Sequence, residues 1–299
     1  MVLGISGGNI VGSYYTGVGA SHGFIYDGSS YTTLNEPDAI NNTTHLLSIS
    51  GSNMVGEYED SNGKYQGFIY NSSSGTFATL KPSSPSLETS GAYSISGSSV
   101  VGQYVDYIGN ARYFHGYLYD GSTYTTFNVP TAWVGGSPYG AFETPRGISG
   151  NSIFGTYTDQ NLVTHGFIYD GSNYTMFDDP LASQIPLSDL PVGTQNTGTN
   201  LYGISGNTIV GSYSDENGIQ HGFVYDGSAF TTVDNPLGVK GSSIFAVDGD
   251  TLVGSYTDEN GIQHGFEAVL ATPEPSSVAL LVLSFCLGGL GLLRRRKNA

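Results

Sequence analysis

One phrase recurs through this chain and limits what it can fold into. HGFIYDGS stands at residues 22–29 and again, unchanged, at 165–172, with close variants at 115–122 and 221–228. Another motif, Ile-Ser-Gly followed by apolar-Val-Gly-x-Tyr, precedes each phrase, and the pair occurs six times with a period of 43 to 56 residues. We call this Ile-Ser-Gly motif the first motif; it is anchored at Ile5, Ile49, Ile95, Ile148, Ile204 and Val247. The His-Gly-Phe phrase begins at His22, Gln66, His115, His165, His221 and His264. Such a period indicates stacked copies of one supersecondary unit.

Each unit divides into four short extended pieces, which in the fifth unit are LYGIS, TIVGSYS, HGFVYDG and AFTTVD. Tyr, Thr, Val, Ile and Phe dominate them, and these residues favour strands. Pairs such as Asn217-Gly218 and Asp226-Gly227 separate the pieces, and both pairs are typical of tight hairpin turns. A proline follows the fourth piece in five units, where it ends the strand. These prolines are Pro37, Pro82, Pro130, Pro180 and Pro236.

The strands are apolar on both faces: in GFIYD, Phe24 and Tyr26 point one way and Ile25 the other. A four-stranded sheet of this kind needs a neighbour on each face, and radial stacking around an axis supplies both. We therefore predict an all-β fold in which residues 1–271 form a six-bladed β-propeller. A linear stack of repeats and a sandwich are the alternatives.

The sixth unit lacks a fourth strand, because EAVLATPEP follows its His-Gly-Phe. The last blade is therefore predicted to be three-stranded, with an exposed edge. The opening MVLGISGGNIVGSYY has no secretion-signal features. Either the apolar span 276–293 itself acts as the insertion signal, or the full gene product begins upstream. The strand count favours the second, and we then expect a signal and one outer strand that resembles YTTL.

Residues 272–299 form a separate tail. The span 276–293 is uncharged and apolar, and the basic residues 294–297 follow at once. A helix of this length can just cross a bilayer core of ~30 Å, and the basic end stays cytoplasmic, so the body is expected on the other side. A buried core helix is the alternative, but such helices are usually amphipathic.

The tail resembles the PEP-CTERM sorting domain of Gram-negative bacteria. The residues that carry the resemblance are Pro273, Glu274, Pro275, Arg294, Arg295 and Arg296, together with the apolar span between them. The resemblance implies a membrane-anchored precursor, recognition by an exosortase, cleavage near Pro-Glu-Pro, and release or attachment at the cell surface. Proteins of this class usually come from bacteria that make exopolysaccharide and biofilm.

Residues 4–270 resemble the HAF family of bacterial extracellular repeats, which is named for similar His-Ala-Phe or His-Gly-Phe units. The resemblance supports the repeat unit and an extracellular location, and it implies no activity.

The charge of the body narrows the choice of partner. Five basic and 25 acidic residues precede residue 276, a net charge of −20. Nucleic acid and anionic lipid are therefore excluded as partners of the body, whereas cations and neutral glycans fit it. Cys286 is the single cysteine, so no intramolecular disulfide forms.

The repeated histidine is the first candidate for chemistry. Gln66 replaces it in the second unit, and glutamine can hydrogen-bond but cannot shuttle protons. We therefore favour a structural hydrogen bond, with the neighbouring acidic loop as the expected partner, over a metal or catalytic role. The G-x-S-x-G pattern at residues 4–8 lies in a short hairpin rather than a strand-to-helix turn, so Ser6 is interpreted as a turn residue.

The loops between the second and third strands are acidic, and they share one end of a propeller with the connectors between blades. Two connectors are long: 131–146, which carries Trp133, Tyr139 and Phe142, and 181–202, which carries Asp189. Loops on a rigid scaffold often bind ligands, so we predict a ligand-binding face here, with aromatic platforms for sugars. The acids suit calcium or simply begin hairpin turns. The candidate calcium ligands are Asp60, Asp106, Asp159, Asp215 and Asp258.

The leading functional hypothesis is an exported, non-enzymatic surface or matrix protein that binds an extracellular partner such as polysaccharide. An extracellular glycan hydrolase or lyase is the second hypothesis, because a propeller can place two acids near its axis. A structural coat protein without a specific ligand is the third.

Overall fold

The computed structural model describes residues 2–17, 19–83, 87–108, 111–129, 143–186, 189 and 197–270. Within these ranges, 23 strands form six separate antiparallel sheets, five with four strands and the last with three. Each sheet comes from one repeat, and its strands lie side by side in chain order. The prediction of a six-bladed β-propeller with a three-stranded last blade is confirmed.

The blades follow one another in chain order. Blade 1 has β1 (Val2–Ser6), β2 (Asn9–Gly17), β3 (Ala20–Tyr26) and β4 (Tyr31–Leu34); blade 2 has β5 (Thr44–Ser50), β6 (Asn53–Glu59), β7 (Tyr65–Asn71) and β8 (Thr76–Leu80); blade 3 has β9 (Leu87–Ser96), β10 (Ser99–Ile108), β11 (Ala111–Tyr119) and β12 (Tyr124–Phe127); blade 4 has β13 (Glu143–Ser149), β14 (Ser152–Thr158), β15 (Thr164–Tyr169) and β16 (Tyr174–Phe177); blade 5 has β17 (Thr199–Ser205), β18 (Thr208–Ser214), β19 (Gln220–Tyr225) and β20 (Phe230–Thr232); blade 6 has β21 (Ser242–Asp248), β22 (Thr251–Thr257) and β23 (Gln263–Val269). One short 3₁₀ turn, Ile40–Asn42, lies in the connector between blades 1 and 2.

The hairpin between the third and fourth strands shows how the repeated phrase folds. The carboxylate of Asp27 accepts hydrogen bonds from the backbone N–H groups of Ser29 and Ser30 at 2.9 and 2.8 Å. Gly28 follows with a φ of 94°, a conformation that glycine adopts at little cost. The predicted turn is therefore present, but Asp27 and Gly28 form the first half of a four-residue loop, 27–30, between β3 and β4.

The first strands of consecutive blades pack against one another, in the order β1, β5, β9, β13, β17 and β21. They are therefore the innermost strands, and the fourth strands are the outermost. The acidic loops and the blade-to-blade connectors lie at one end, which we call the loop face, and the tight turns lie at the other. The serine of the first motif joins neighbouring blades at the tight-turn end, where Ser6 accepts a hydrogen bond from the Gly51 N–H at 3.1 Å. This contact agrees with a structural role for Ser6.

We call the interface between two neighbouring blades a seam. Five seams are closed by buried apolar clusters, one at each of the pairs 1/2, 2/3, 3/4, 4/5 and 5/6. At seam 3/4, for example, Val101 and Phe127 of blade 3 pack with Ile148, Ile153 and Phe167 of blade 4. Each fully buried side chain of this size stabilises the fold by ~1.5–3 kcal/mol.

The sixth seam, between blades 6 and 1, is different. Ile5 of blade 1 is 69% exposed, whereas Ile49 at the same position of blade 2 is 6% exposed. Val253 of blade 6 is 44% exposed, whereas Val210 at the same position of blade 5 is fully buried. The close packing of first strands that joins the other blades is not formed between β21 and β1 in the described part of the chain. The ring is therefore open at seam 6/1.

The tail lies outside the described residues, and so do the predicted helix 276–293 and the six residues of the sorting signal. Among the residues that are described, no helix has both the length and the apolar character needed to span a bilayer.

Candidate functional site: a cavity between neighbouring blades on the loop face

The repeated histidine stands at the start of the third strand, between two hydrogen-bond acceptors. In blade 3, the His115 Nε2 atom lies 3.1 Å from the Asp106 carboxylate, and its Nδ1 atom lies 2.7 Å from the side-chain oxygen of Asn128. Asp106 belongs to the end of β10, and Asn128 is the residue after the fourth strand. The predicted hydrogen bond from the histidine to the acidic loop is therefore present.

A tyrosine of the second strand stacks on each of these histidines. The ring centroids of Tyr213 and His221 are 5.1 Å apart and the rings are inclined by 24°. The other stacked pairs are Tyr14–His22, Tyr104–His115, Tyr157–His165 and Tyr256–His264. The imidazole is thus fixed on one face and at one nitrogen or both in each of these blades, which explains why the sequence preserves it as a structural residue.

In blade 4 the two acceptors are both acids. The His165 Nδ1 atom lies 2.8 Å from Asp178, and its Nε2 atom lies 3.7 Å from Asp159. Burial opposes the charged imidazolium, but the hydrogen bond to Asp178 and the charges of both carboxylates more than offset it. The pKa of His165 is therefore raised above its ordinary value.

The five acids predicted as calcium ligands have structural partners. The Asp215 carboxylate accepts hydrogen bonds from the N–H groups of Asn217 and Ile219 at 2.9 and 2.8 Å, and so closes its own loop. Asp60, Asp159 and Asp258 close theirs in the same way, and Asp106 binds His115. In the described ranges, no group of three or more His, Cys, Asp or Glu side chains is placed to hold a metal ion. Calcium binding stays a prediction.

The connector that leaves each blade is tied to the first strand of the next one. The backbone N–H of Asp179 donates to the Thr199 hydroxyl at 3.0 Å, and the Asp179 carboxylate accepts the N–H of Leu181 at 2.8 Å. Asn235 makes the corresponding bonds to Ser242 and Leu237. Burial raises the pKa of Asp179. These bonds hold the Pro-Leu step of the connector beside the acidic loop of the following blade.

A cavity of about 750 Å³ opens between that connector and blade 5. Its apolar wall comes from the connector, and its polar wall comes from β18, the acidic loop and the repeated histidine. The lining residues are Pro180, Leu181, Ala182, Ser183, Gln184, Ile185, Tyr213, Asp215, Glu216, Asn217 and His221. We call this cavity site 4/5. Its size is typical of small-molecule sites.

Blade 6 carries the equivalent cavity, of about 430 Å³, which we call site 5/6. It is lined by Pro236, Leu237, Val239, Tyr256, Asp258, Glu259, Asn260 and His264. The two cavities share the same tyrosine, loop carboxylate, loop asparagine, histidine and Pro-Leu step. The site is therefore a property of the repeat rather than of a single loop.

The residues predicted for the binding face are only partly placed. Trp133, Tyr139 and Phe142 lie outside the described residues. Asp189 is exposed, in a short turn closed by its N–H and the Pro186 carbonyl, and it is not among the lining residues of site 4/5. The predicted connector 181–202 does contribute to that site, through its first five residues.

A ring of residues at the axis was not anticipated from the sequence motifs. Each innermost strand has a bulge at one equivalent place, where its register against the second strand shifts by one residue, and β9 has a further bulge at Glu88. The bulged residues are Leu3, Leu47, Tyr93, Arg146, Tyr202 and Phe245. Neighbours among them touch: the Arg146 guanidinium lies 6.0 Å from the Tyr202 ring centroid, and the Tyr202 and Phe245 centroids are 5.4 Å apart. In the sequence, these bulges are marked only by a break in the alternation of inward and outward residues within the first motif.

Glu57 of β6 is the unusual acid near this ring. It follows the glycine of the second strand, where the other blades have Ser13, Gln103, Thr156, Ser212 and Ser255. Burial raises the pKa of Glu57 to about 7, and its charge helps to raise the pKa of Tyr93. Glu57 is therefore a carboxyl group that titrates near neutral pH.

Comparison by sequence finds no protein-family model that matches this chain and no curated protein that resembles it. Comparison of structures finds many propellers. The β-propeller domain of the Trilobed protease from Pyrococcus furiosus, described as having an open velcro topology, has a TM-score of 0.60 at 12% identity, over 89% of this chain and 78% of that one. A mutant of the Aleuria aurantia lectin in complex with alpha-methyl-L-fucoside has a TM-score of 0.51 at 11% identity, over 97% and 96%.

An acylaminoacyl peptidase from Pyrococcus horikoshii has a TM-score of 0.51 at 6% identity, over 87% of this chain and 42% of the peptidase. The lectin is described as a six-bladed β-propeller. These likenesses establish the fold, and because lectins and enzymes both occur among them, they leave the activity to be argued from the site.

Proposed function

We propose that this chain is an exported, non-enzymatic β-propeller that binds a neutral glycan through the loop face. The observation that carries the proposal is the repeated cavity between blades, which joins an apolar wall to a cluster of hydrogen-bonding groups. The proposal includes sorting to the cell surface or matrix by the C-terminal tail.

The chemistry of site 4/5 suits a sugar ring. Leu181 and Pro180 provide a surface for the C–H face of a sugar, while Glu216, Asn217 and His221 provide donors and acceptors for hydroxyl groups. Residues 1–275 carry a net charge of −20, which disfavours an anionic polysaccharide. A lectin of the same fold is described as recognising fucose, so methyl α-L-fucoside is a reasonable first probe among neutral sugars.

Calorimetry with methyl α-L-fucoside and a panel of neutral mono- and oligosaccharides tests this proposal. The double variant Leu181→Ser/Glu216→Ala changes two exposed lining residues of site 4/5, and we expect at least a tenfold loss of affinity at this site, equivalent to ~1.4 kcal/mol, with site 5/6 unchanged. Met176→Ser is the matched control, because Met176 is an exposed apolar residue on the outermost strand of blade 4. Equal affinity of all three proteins would refute the assignment of the site, and no binding to any sugar would favour a structural coat protein.

Two equivalent cavities predict two equivalents of ligand per chain. Leu237→Ser changes site 5/6 in the same way as Leu181→Ser changes site 4/5. We expect either substitution to lower the stoichiometry toward one and the combination to abolish binding. A stoichiometry of one that only Leu181→Ser affects would restrict the function to site 4/5.

The sorting part of the proposal rests on the tail sequence alone. We propose that residues 276–293 cross the membrane, that Arg294 to Arg296 remain on the cytoplasmic side, and that an exosortase-type enzyme cleaves near Pro273-Glu274-Pro275. Replacing the three arginines by glutamine should cause accumulation of uncleaved precursor in an exosortase-bearing host. Unchanged size and location of the product, seen by fractionation and blotting, would refute it.

Glu57 favours a second candidate function, a glycan hydrolase or lyase with its centre near the axis. A carboxyl group with a pKa of about 7 is suited to proton transfer at neutral pH. Release of reducing ends or unsaturated products from a polysaccharide panel, abolished by Glu57→Gln, would establish this activity. Binding without turnover would leave the non-enzymatic proposal in place.

A further inference from the structure

We propose that blade 6 accepts an extended segment of a partner polypeptide as its fourth strand. This surface is separate from the sugar sites of the proposed function, and it is defined by what the fourth strand does in the five complete blades. The outer edge of β23 has no neighbouring strand among the described residues.

Gly265 shows that the vacant place has the shape of a strand. In the five complete blades, the glycine of His-Gly-Phe is buried under the fourth strand and the next blade. A methyl group added at Gly222 would lie 2.5 Å from the carbonyl oxygen of Val233, the residue after the fourth strand, and 3.0 Å from Ile244 of blade 6. At Gly265 the nearest atom is 3.9 Å away, and the residue is exposed.

The histidine of blade 6 supports the same conclusion. In every complete blade that has this histidine, its Nδ1 atom bonds the Asn or Asp that follows the fourth strand; these residues are Asn35, Asn128, Asp178 and Asp234. Blade 2 has Lys81 at that place, and there the histidine is replaced by Gln66. His264 keeps the imidazole and its bond to Asp258 at 3.0 Å, but within the described ranges its Nδ1 atom has no acceptor.

The complete blades also specify the sequence of the missing strand. In blade 4 the pairs across the outer hairpin are Tyr169 with Tyr174, Ile168 with Thr175 and Gly166 with Phe177. Transferred to blade 6, this register places an aromatic residue opposite Ala268, a threonine opposite Glu267 and a large apolar residue opposite Gly265. An Asn or Asp must follow, within reach of His264.

The side chains around the vacancy agree with this pattern. Ala268 replaces the tyrosine of the other third strands, so it leaves room for the aromatic residue over Phe266. The apolar residue would cover Val253 at seam 6/1, in the place that Phe177 of blade 4 takes at seam 4/5. With this strand in place, seam 6/1 would be closed by a buried apolar cluster like those at the other five seams.

A partner segment fits better than a second copy of this chain. The outer strand expected upstream of residue 1 is the competing occupant, and a longer chain that carries it and no longer binds the strand peptide would overturn the proposal. The fourth strands of blades 1 to 5 are already paired within their own sheets. Pairing of two β23 edges would bring two Glu267 carboxylates onto one sheet, which is unfavourable. The acidic edge and acidic body favour a segment with basic flanks.

The test uses the full chain and a synthetic peptide with the sequence of residues 121–129, GSTYTTFNV, extended by two lysines. We expect saturable one-to-one binding, an increase in the melting temperature, and changed NMR signals of the His264 ring. The same peptide with Thr126→Pro, which removes one backbone donor, is the control and should bind at least tenfold more weakly.

Gly265→Val in the full chain should also weaken binding at least tenfold without loss of fold, because its side chain enters the open space that the peptide would fill. Circular dichroism and the unchanged affinity of site 4/5 for its sugar confirm that the variant is folded. Absence of peptide binding, or equal binding by the variant, overturns the proposal. So does dimerisation of the chain alone that Gly265→Val abolishes, because the occupant would then be a second copy.

Discussion

The seam between blades 5 and 6 and the seam between blades 6 and 1 are built from the same repeat, but one is closed and the other is open. Seam 5/6 buries Val210, Val224 and Val233 against Ile244 and Leu252. At seam 6/1, Val253, which corresponds to Val210, and Ile5, which corresponds to the partly buried Val247, remain exposed. A fourth strand is present at the first seam, and the described residues include none at the second. Closure of the contact near the axis therefore goes together with a paired outermost strand.

The largest expected effect is the loss of a buried isoleucine at a closed seam. Ile49→Ala should lower the free energy of unfolding by ~2–5 kcal/mol, because it leaves a cavity at seam 1/2. Ile5→Ala, the same change at the open seam, should alter it by at most ~0.5 kcal/mol. Urea denaturation of both variants measures the difference. Equal losses would mean that seam 6/1 is closed in solution.

The next largest effect on stability compares a carboxylate at a closed seam, Glu57, with one at the open seam, Glu267. Glu57 lies at seam 2/3 with a pKa raised to about 7, so its folded state binds a proton more tightly than its unfolded state. The contribution of Glu57 to stability is then greatest at low pH and falls as the pH rises from about 4.5 to about 7, by ~3 kcal/mol. Glu57→Gln should remove that decline and raise the unfolding free energy at pH 8.

Glu267 is the carboxylate for comparison, because it is exposed on the seam 6/1 side of β23. Glu267→Gln should change the free energy of unfolding at pH 8 by at most ~0.5 kcal/mol. A stabilisation at pH 8 equal to that of Glu57→Gln would contradict an open seam.

Alanine substitutions at Gly222 and Gly265 test the contacts under the fourth strand in blades 5 and 6 without changing polarity. Gly222→Ala should destabilise the fold by ~1–3 kcal/mol, because the new methyl group meets the Val233 carbonyl and Ile244. Gly265→Ala should be close to neutral. Thermal unfolding in the presence and absence of the strand peptide checks both, and bound peptide should make Gly265→Ala costly.

The smallest effect concerns the histidine of a complete blade. The raised pKa of His165 means that its interaction with Asp178 and Asp159 stabilises the fold fully below the unfolded pKa of about 6.5. This contribution is lost as the pH rises through the folded-state pKa. His165→Gln, the residue that blade 2 already has, should remove this part of the pH dependence. An unchanged pH profile would show that the two carboxylates contribute no charge interaction.

The fold could be predicted from the sequence because every unit repeats its turn residues and its alternation. Asp27-Gly28 and its equivalents mark the hairpins, and two-faced strands such as Phe24-Ile25-Tyr26 require neighbours on both sides. The missing strand after His264 could be counted directly. None of these inferences needed a long-range contact.

The cavities and the axial ring could not be predicted in the same way. Leu181 reaches site 4/5 only because Asp179 ties the connector to Thr199 of the next blade, a contact between residues far apart in the chain. Tyr202 occupies a bulge that looks like one more strand residue in LYGIS. The burial of Glu57 depends on Gly91, which lies in the neighbouring blade and leaves room for it.

The bulges of the innermost strands let the side chains at the axis vary while the strands keep their pairing, two requirements that usually conflict. A bulged residue has no partner in the ladder of the second strand, so its identity is not constrained by pairing. Leu3, Leu47, Tyr93, Arg146, Tyr202 and Phe245 already differ widely at this place, although the strands around them are nearly uniform. Six independently variable side chains thus converge on one axis, and evolution or design can recompose that lining one blade at a time while the scaffold stays as it is.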